Sequence, residues 1–314
     1  QIDNFTFIME DLDLEDRKGW GTFIYNNNNT IPLQIQVNHP LFDYGSLISA
    51  AELFRETESE WLLIAGSHRF ANCSTCTPGP DSCDINENSV DENQYCISDM
   101  ARMDNSIFQK VFEEISSADQ YTLSIHGYSA EGTVDEGGNN DYYGIVISAG
   151  GDDTDNHVPL SVLGQLLLDE INMNTGFSAC EADIVADTEC PDLTATQNPQ
   201  GKYVNTYICQ TNNHWFSLEI ENDITSSPFG LFSQLFSTID SIFNENCDVE
   251  MGDMNGDDDW NVLDIVILAN CILSDNCSDL ENSCAGDPNR DGVWNVLDIV
   301  ILANCILADN CICI

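Results

Sequence analysis

The chain has 314 residues, 42% of them hydrophobic, with 54 acidic side chains against 8 basic ones and a formal net charge of −46. A chain of this length and apolar content buries a sizeable core, and one large and one small domain is the natural division. So acidic a surface repels phosphate backbones and anionic headgroups and attracts divalent cations, which argues against nucleic acid and membrane surfaces as partners.

Fourteen cysteines point to disulfides in an oxidising compartment, because only Cys73 and Cys76 have a CxxC spacing and no second CxxC pairs with them. Seven cysteines precede residue 225 and seven follow it. That predicts either one bridge between the two parts or a free thiol in each. The chain opens at Gln1 without a methionine or an apolar leader, as expected of a mature secreted protein, extracellular or at the cell surface. No apolar run approaches the ~20 residues of a membrane span. Sequons at Asn4, Asn28, Asn72 and Asn276 permit glycosylation.

In chain order, residues 22–40 read as two strands about an asparagine turn, 46–58 as a helix, 61–68 as a buried strand and 106–118 as an amphipathic helix. Strands follow at 121–129 and 142–150, a helix at 159–172 and a strand at 214–222. Alternation of this kind predicts an α/β domain with helices covering a largely parallel or mixed sheet over residues 1–225. The stretch from Cys73 to Asp99, rich in Cys, Pro, Asp and Asn, reads as a long loop tied by disulfides. Residues 226–246 form a helix and linker, with Ser227 as N-cap, Pro228 in the first turn and apolar spacing that predicts packing on the first domain.

Residues 247–314 contain the sequence WNVLDIVILANCIL twice, at 260–273 and 294–307. Each copy is preceded by a loop fitting D-x-N-x-D-x-x-x-N-x-x-D, which sets oxygen ligands at positions 1, 3, 5, 9 and 12 and a carbonyl at position 7 around a hard cation such as calcium. One site would use Asp253, Asn255, Asp257, Asp259 (carbonyl), Asn261 and Asp264; the other Asp287, Asn289, Asp291, Val293 (carbonyl), Asn295 and Asp298. Position 6 is Gly292 in the second loop and Asp258 in the first, so the first is expected to bind somewhat more weakly. A single helix, apolar nearly all round, follows each loop.

These paired loop-helix repeats resemble the type I dockerin family, a small all-α calcium-binding module. The resemblance implies a cohesin-like partner that tethers a secreted protein to a scaffold or cell surface. It departs from the family in its added cysteines, Cys271 and Cys277 matched by Cys305 and Cys311, with Cys247, Cys284 and Cys313 besides.

Of five histidines, His39, His68 and His126 stand at predicted strand ends, where open α/β sheets build their sites, whereas His157 and His214 sit in polar, loop-like contexts. The phrases HPLFDYG, AGSHRFAN, SIHGYS, LTATQNPQGKYVN and SLEIE resemble the zinc-dependent group of N-formylglutamate amidohydrolases and poly-γ-glutamate hydrolases, related in fold to zinc carboxypeptidases. That resemblance implies zinc ligands His39, Asp43 and His126, with Asp43 where the family more often has Glu. It also implies Glu219 as general base, and His68, Arg69 and Lys202 as groups that orient a substrate carboxylate or carbonyl. The charge of the chain favours a small amide or peptide substrate over a polyanion.

Two functions fit these features. One is a secreted metal-dependent amide hydrolase tethered through its calcium module. The other is a non-catalytic subunit of an extracellular filament or lattice, in which the calcium module binds another copy of the chain head to tail.

Overall fold

The computed structural model describes residues 6–10, 19–71, 96, 98–118, 120–129, 144–175, 177–182, 190–191, 193–209, 213–221, 236–239, 242, 249, 251–257, 259–288 and 293–308. Eight strands form one mixed sheet: β1 (Thr6–Glu10), β2 (Thr22–Asn26), β3 (Ile31–Val37), β4 (Ser59–Ile64), β5 (Tyr121–Tyr128), β6 (Ile145–Ser148), β7 (Ala179–Glu181) and β8 (Trp215–Glu221). Their order is β1-β2-β4-β3-β5-β8-β6-β7. The run β4-β3-β5-β8 is parallel, and β2 against β4 and β6 against β8 are antiparallel. The expected α/β architecture with a mixed sheet is therefore present.

The asparagine turn at 27–30 joins β2 to β3, yet these strands do not pair, because β4 lies between them. Asn26 explains part of this. Its Nδ2 donates to the carbonyls of Glu58 and Ser59, anchoring the turn to the start of β4.

The helices of this part are α1 (Ser46–Glu56), α2 (Ile107–Ile115), α3 (Val162–Asn174) and α4 (Pro199–Tyr203), the last continuing into a π-helical turn at Val204–Ile208. Ser106 and Ser161 cap α2 and α3 by accepting from the backbone N–H groups of Gln109 and Gly164. Period-2 alternation gives the sheet two unlike faces. One carries Ile31, Leu33, Ile35 and Val37 of β3, with Leu123, Ile125, Leu218 and Ile220, and is covered by apolar residues of α1 and α3. Phe236, Ile239 and Ile242 join that core, so the described residues of the 226–246 segment do pack there; its predicted cap, Ser227 and Pro228, lies outside the described residues.

The opposite face is polar at its centre. Gln34, Gln36 and Asn38 alternate with the apolar residues of β3, and all three are fully buried. Gln34 donates to Gln120 at 2.6 Å, Asn38 to Gln200 at 2.8 Å, and Gln200 to Gln109 at 2.7 Å. Buried amides are tolerated only when hydrogen-bonded, and these bonds fasten α2 and α4 to the sheet. Around them Phe23, Leu63, Phe108, Phe112, Val204 and Trp215 form the apolar packing.

A third cluster, Met254, Leu268, Cys271, Cys277, Ala285, Leu302 and Cys305, belongs to the C-terminal repeats. There α5 (Val262–Ser274) and α6 (Val296–Ala308) occupy the duplicated sequence and contact each other. Disulfides link Cys180 to Cys190 and Cys271 to Cys277, and no cysteine among the described residues is free. Of the predicted tied loop from Cys73 to Asp99, residues 73–95 and 97 lie outside the described residues.

The turn after β4 depends on a close approach. A Cβ on Gly66 would meet the carbonyl of Gly19 and the amide nitrogen of Gly21 at 2.5 Å. Backbone atoms cannot rotate aside as a side chain does, so Gly66→Ala is expected to cost about 1–3 kcal/mol of overpacking strain. Urea unfolding followed by tryptophan fluorescence checks this; an unchanged midpoint would refute the close contact.

Candidate active site

Because β3, β5 and β8 run parallel as neighbours, their C-terminal ends coincide, and the polar face of the sheet ends in His126 of β5 beside Glu219 of β8. The chain leaves β3 through Asn38 and His39. The His39 carbonyl accepts from the N–H groups of Phe42 (3.1 Å) and Asp43 (3.0 Å), which folds Asp43 back over His39. Gly45, with φ of 78°, makes the left-handed step into α1. Two residues four apart thus face one point.

At that point the Asp43 Oδ2 atom lies 3.2 Å from His39 Nδ1 and 2.8 Å from His126 Nδ1. The three side chains are buried, and one donor atom from each lies within 4.8 Å of the others. His39 Nε2 is 2.7 Å from Asp99 Oδ1, and Arg69 Nη2 donates to Asp99 Oδ2 at 2.7 Å. Glu219, His39, Asp43 and His126 face a cavity of about 490 Å³, whose walls include Phe42, Arg69, Arg102 and residues 193–198.

The wall at 193–198 is held from several sides. The Ser148 hydroxyl donates to the Thr194 carbonyl, and the Cys180–Cys190 disulfide ties edge strand β7 to the wall's start. Asn205, in the π-helical turn, donates to the carbonyls of Ala149 (2.7 Å) and Gly151 (3.2 Å). Ala195 has φ of 50°, a left-handed conformation uncommon outside glycine that persists where the surroundings impose it.

The charges are strongly coupled. Burial works to raise Asp43, but hydrogen bonds from His126 and His39 and their charges outweigh it and hold the carboxyl well below the usual range. Burial works to lower His126, yet the charge of Glu219 and the hydrogen bond and charge of Asp43 raise it. Glu219 is pushed up, chiefly by burial, with the charge of Asp43 adding to the effect. Two ring nitrogens and one carboxylate oxygen converging on one point, with a second carboxylate beside them, suit a borderline cation with N and O ligands. His39 carries the outer carboxylate, Asp99, that commonly orients a ligating imidazole and leaves its other nitrogen facing the metal.

Among the residues singled out in the sequence, His39, Asp43, His126, Glu219 and Arg69 meet at this cavity. His68 does not face it; its ring packs against Phe42 and Phe70, and its Nδ1 accepts from the Phe70 N–H. Lys202 pairs with Asp155 and is absent from the wall. His214, expected in a polar loop, is buried with its ring 4.2 Å from that of Tyr121. Asp99 and Arg102 had no local signal: Asp99 reaches His39 across 60 residues of chain, a contact that only the fold creates.

In the repeats, Asn261 and Asn295 make the same three contacts. Each backbone N–H donates to the position-12 carboxylate, Asp264 at 2.9 Å or Asp298 at 2.7 Å. Each Nδ2 donates to the carbonyl two residues back, Asp259 at 3.0 Å or Val293 at 2.9 Å, and each Oδ1 accepts from Leu263 or Leu297. Trp260 and Trp294 anchor the loops by donating to the carbonyls of Met251 and Ser283. Asp253, Asp264, Asp287 and Asp298 are all buried. Burying carboxylates beside apolar helices is costly without a cation, so the donor set fits calcium. The left-handed residue among the described part of the first loop is Gly256, at position 4, with φ of 69°. Asn255 and Asp257 complete that loop, whereas Asp258, Asn289, Asp291 and Gly292 lie outside the described residues.

Residues 251–307 match the family model of the dockerin type I domain. Dockerin modules bind calcium and cohesin modules, and this one spans both repeats while leaving the sheet outside the match. No curated protein matches the chain. Among solved structures it is similar to N-formylglutamate amidohydrolase from Ralstonia eutropha, at 10% identity over 72% of this chain and 96% of that one with a TM-score of 0.39. It is similar to bacteriophage poly-γ-glutamate hydrolase at 14% identity, 77% and 87% coverage and a TM-score of 0.33. For succinylglutamate desuccinylase from Chromobacterium violaceum the values are 10%, 72% and 65%, and 0.35. All three scores are under one half, and the assignment of the site rests on its own side chains. No helix among the described residues is long and apolar enough to cross a membrane.

The pairing of Asp99 has a pH signature in the metal-free protein. Burial works to raise this carboxyl, but His39 and Arg69 hold it below its ordinary 3.8. A carboxylate lowered on folding adds stability above its unfolded value, and that stability is lost as pH falls through the folded value. Metal-free wild type should therefore exceed Asp99→Asn in unfolding free energy near neutral pH, with the gap closing as the pH falls below the ordinary 3.8 and through the lowered folded value. A gap that stays constant from neutral pH to acid would exclude this origin.

Proposed function

We propose that the chain is a secreted, zinc-dependent hydrolase of amide bonds, tethered to a cohesin-like partner by its calcium-binding dockerin module. Residues 1–225 form the hydrolase-like domain, 226–246 the connecting helix and linker, and 247–314 the dockerin domain. The observation that carries the reading is the convergence of His39 Nδ1, His126 Nδ1 and Asp43 Oδ2 beside Glu219.

His39, Asp43 and His126 would hold the metal. A zinc ion with three N/O ligands keeps one position open, polarises a carbonyl and lowers the pKa of water to about 7. Glu219 takes the proton from the attacking water and passes it to the departing amine, so the amide C–N bond breaks as a carboxylic acid and an amine form. Burial raises its pKa and thus strengthens it as a base at neutral pH. Arg69, at the cavity wall, supplies positive charge for the oxygen of the tetrahedral species. Asp99 grips both His39 and Arg69 and so fixes the base of the site relative to its wall.

Metal analysis separates these roles. His126→Ala should lose both zinc and amide hydrolysis, whereas Glu219→Gln should keep zinc stoichiometry while kcat falls by about a hundredfold or more. Full activity in either variant would overturn the assignment.

Supporting the docking role, each dockerin helix is apolar on both sides. Leu268 and Leu302 are buried between the repeats, while Val262, Val266 and Leu273 on α5, and Val296, Val300 and Leu307 on α6, are exposed. Large exposed apolar stripes of this kind mark protein contacts. A second copy of the chain fits such a stripe as well as a cohesin-like module does, which keeps the filament reading as the alternative. Light scattering of the calcium-loaded chain decides between them. A monomer that enlarges only when a cohesin module is added supports tethering. Large assemblies that chelation dissolves support the filament.

A further inference from the structure

We propose that the loop carrying two of the three metal-binding side chains is also the specificity surface of the site, selecting amides flanked by a large apolar or aromatic group. This inference rests on the amide-hydrolase reading and names its substrate class. Leu41 and Phe42 stand between His39 and Asp43, Tyr44 follows, and Ile48 lies in the first turn of α1. Their exposures are 67%, 48%, 64% and 60%. Four large exposed apolar side chains fall within eight residues, on a protein otherwise dominated by 54 acidic residues. Such patches mark contact sites.

Continuity with the cavity argues for the occupant. Phe42 lines the cavity itself, so the apolar loop reaches the space that Glu219 and His126 face. That ring is held edge-on by His68 (5.5 Å between centroids) and Phe70 (5.3 Å), which presents a fixed aromatic wall. Leu41 and Tyr44 lie on the same loop and are exposed.

Charge argues against an acidic flank. The Arg69 guanidinium is paired with Asp99 at 2.7 Å and lies over the rings of Phe42 and Phe70, 5.2 and 5.3 Å from their centroids. Asp43 and Glu219 face the same space. Arg102, the second cation of the wall, donates to Gln197 at 2.7 Å. Both guanidiniums are thus held at the cavity wall, and an acidic flank lying on the loop would meet Leu41, Tyr44 and Ile48, which offer exposed hydrocarbon to an apolar group instead.

The test compares two peptides identical except for Phe or Glu beside the cleaved amide, using the full-length protein loaded with zinc and calcium. A difference of this size in a hydrophobic contact is worth roughly 10–200-fold. Wild type is expected to favour the Phe peptide by at least about tenfold in kcat/KM. In the Leu41→Ser/Tyr44→Ser double variant that ratio should fall towards one, mainly through KM. Preference for the Glu peptide, or a ratio unchanged in the double variant, overturns the inference. Cleavage of neither peptide is a failure of the hydrolase reading, and the surface is then tested alone by calorimetry on metal-free protein. Tighter binding of the Phe peptide that the double variant loses upholds the apolar surface, and equal binding of both peptides overturns it.

Discussion

The Asp43 carboxylate, with an imidazole nitrogen on each of two sides, is the contact on which the organisation of the α/β part turns. A buried carboxylate is expensive, and hydrogen bonds from two imidazole rings are what make it tolerable. Meeting that requirement brings together the turn after β3, the end of β5 and, through Asp99, a residue on the far side of the cysteine-rich stretch. Arg69 then closes the chain of charges at the turn after β4. Each link constrains the next, so the cavity has fixed walls on the sides these residues form.

The sheet beneath serves that arrangement by being asymmetric. One face is hydrocarbon throughout and provides most of the packing with α1 and α3. The other places Gln34, Gln36 and Asn38 in a buried row, with α4 held to it through Asn38. A buried amide is directional in a way that a leucine is not, so the Asn38 bond to Gln200 sets where α4 lies relative to β3. The strained Ala195 sits in that wall, between a disulfide on one side and the Asn198 cap of α4 on the other.

The dockerin repeats solve the same problem of buried charge in another way. Asp264 and Asp298 are each the third residue of an apolar helix, and their carboxylates accept the N–H of the residue that caps it. The helix N-terminus favours negative charge there, and a cation in the loop would balance the remainder. The Cys271–Cys277 disulfide fastens the other end of α5 to the turn that follows. Loop chemistry at one end and a covalent link at the other hold a helix whose own hydrophobic pattern does not say which side is inside.

Much of this was legible without coordinates, for local reasons. Strand and helix periodicities and the twelve-residue loops are patterns over fewer than fifteen positions, and the periodicities produced most of the strands and helices that the described residues contain. The sequence by itself also singled out His39, Asp43, His126 and Glu219, because strand ends in an open sheet and motif phrases are both readable in one dimension. Tertiary structure alone decided that β4 separates β2 from β3, that His68 and Lys202 are absent from the cavity wall, that Arg102 belongs to it, and that Asp99 backs His39 and Arg69. The physical reason is range. Strand order and outer-sphere partners arise from contacts between residues tens of positions apart, whose energy depends on three-dimensional packing and leaves no periodic trace along the chain.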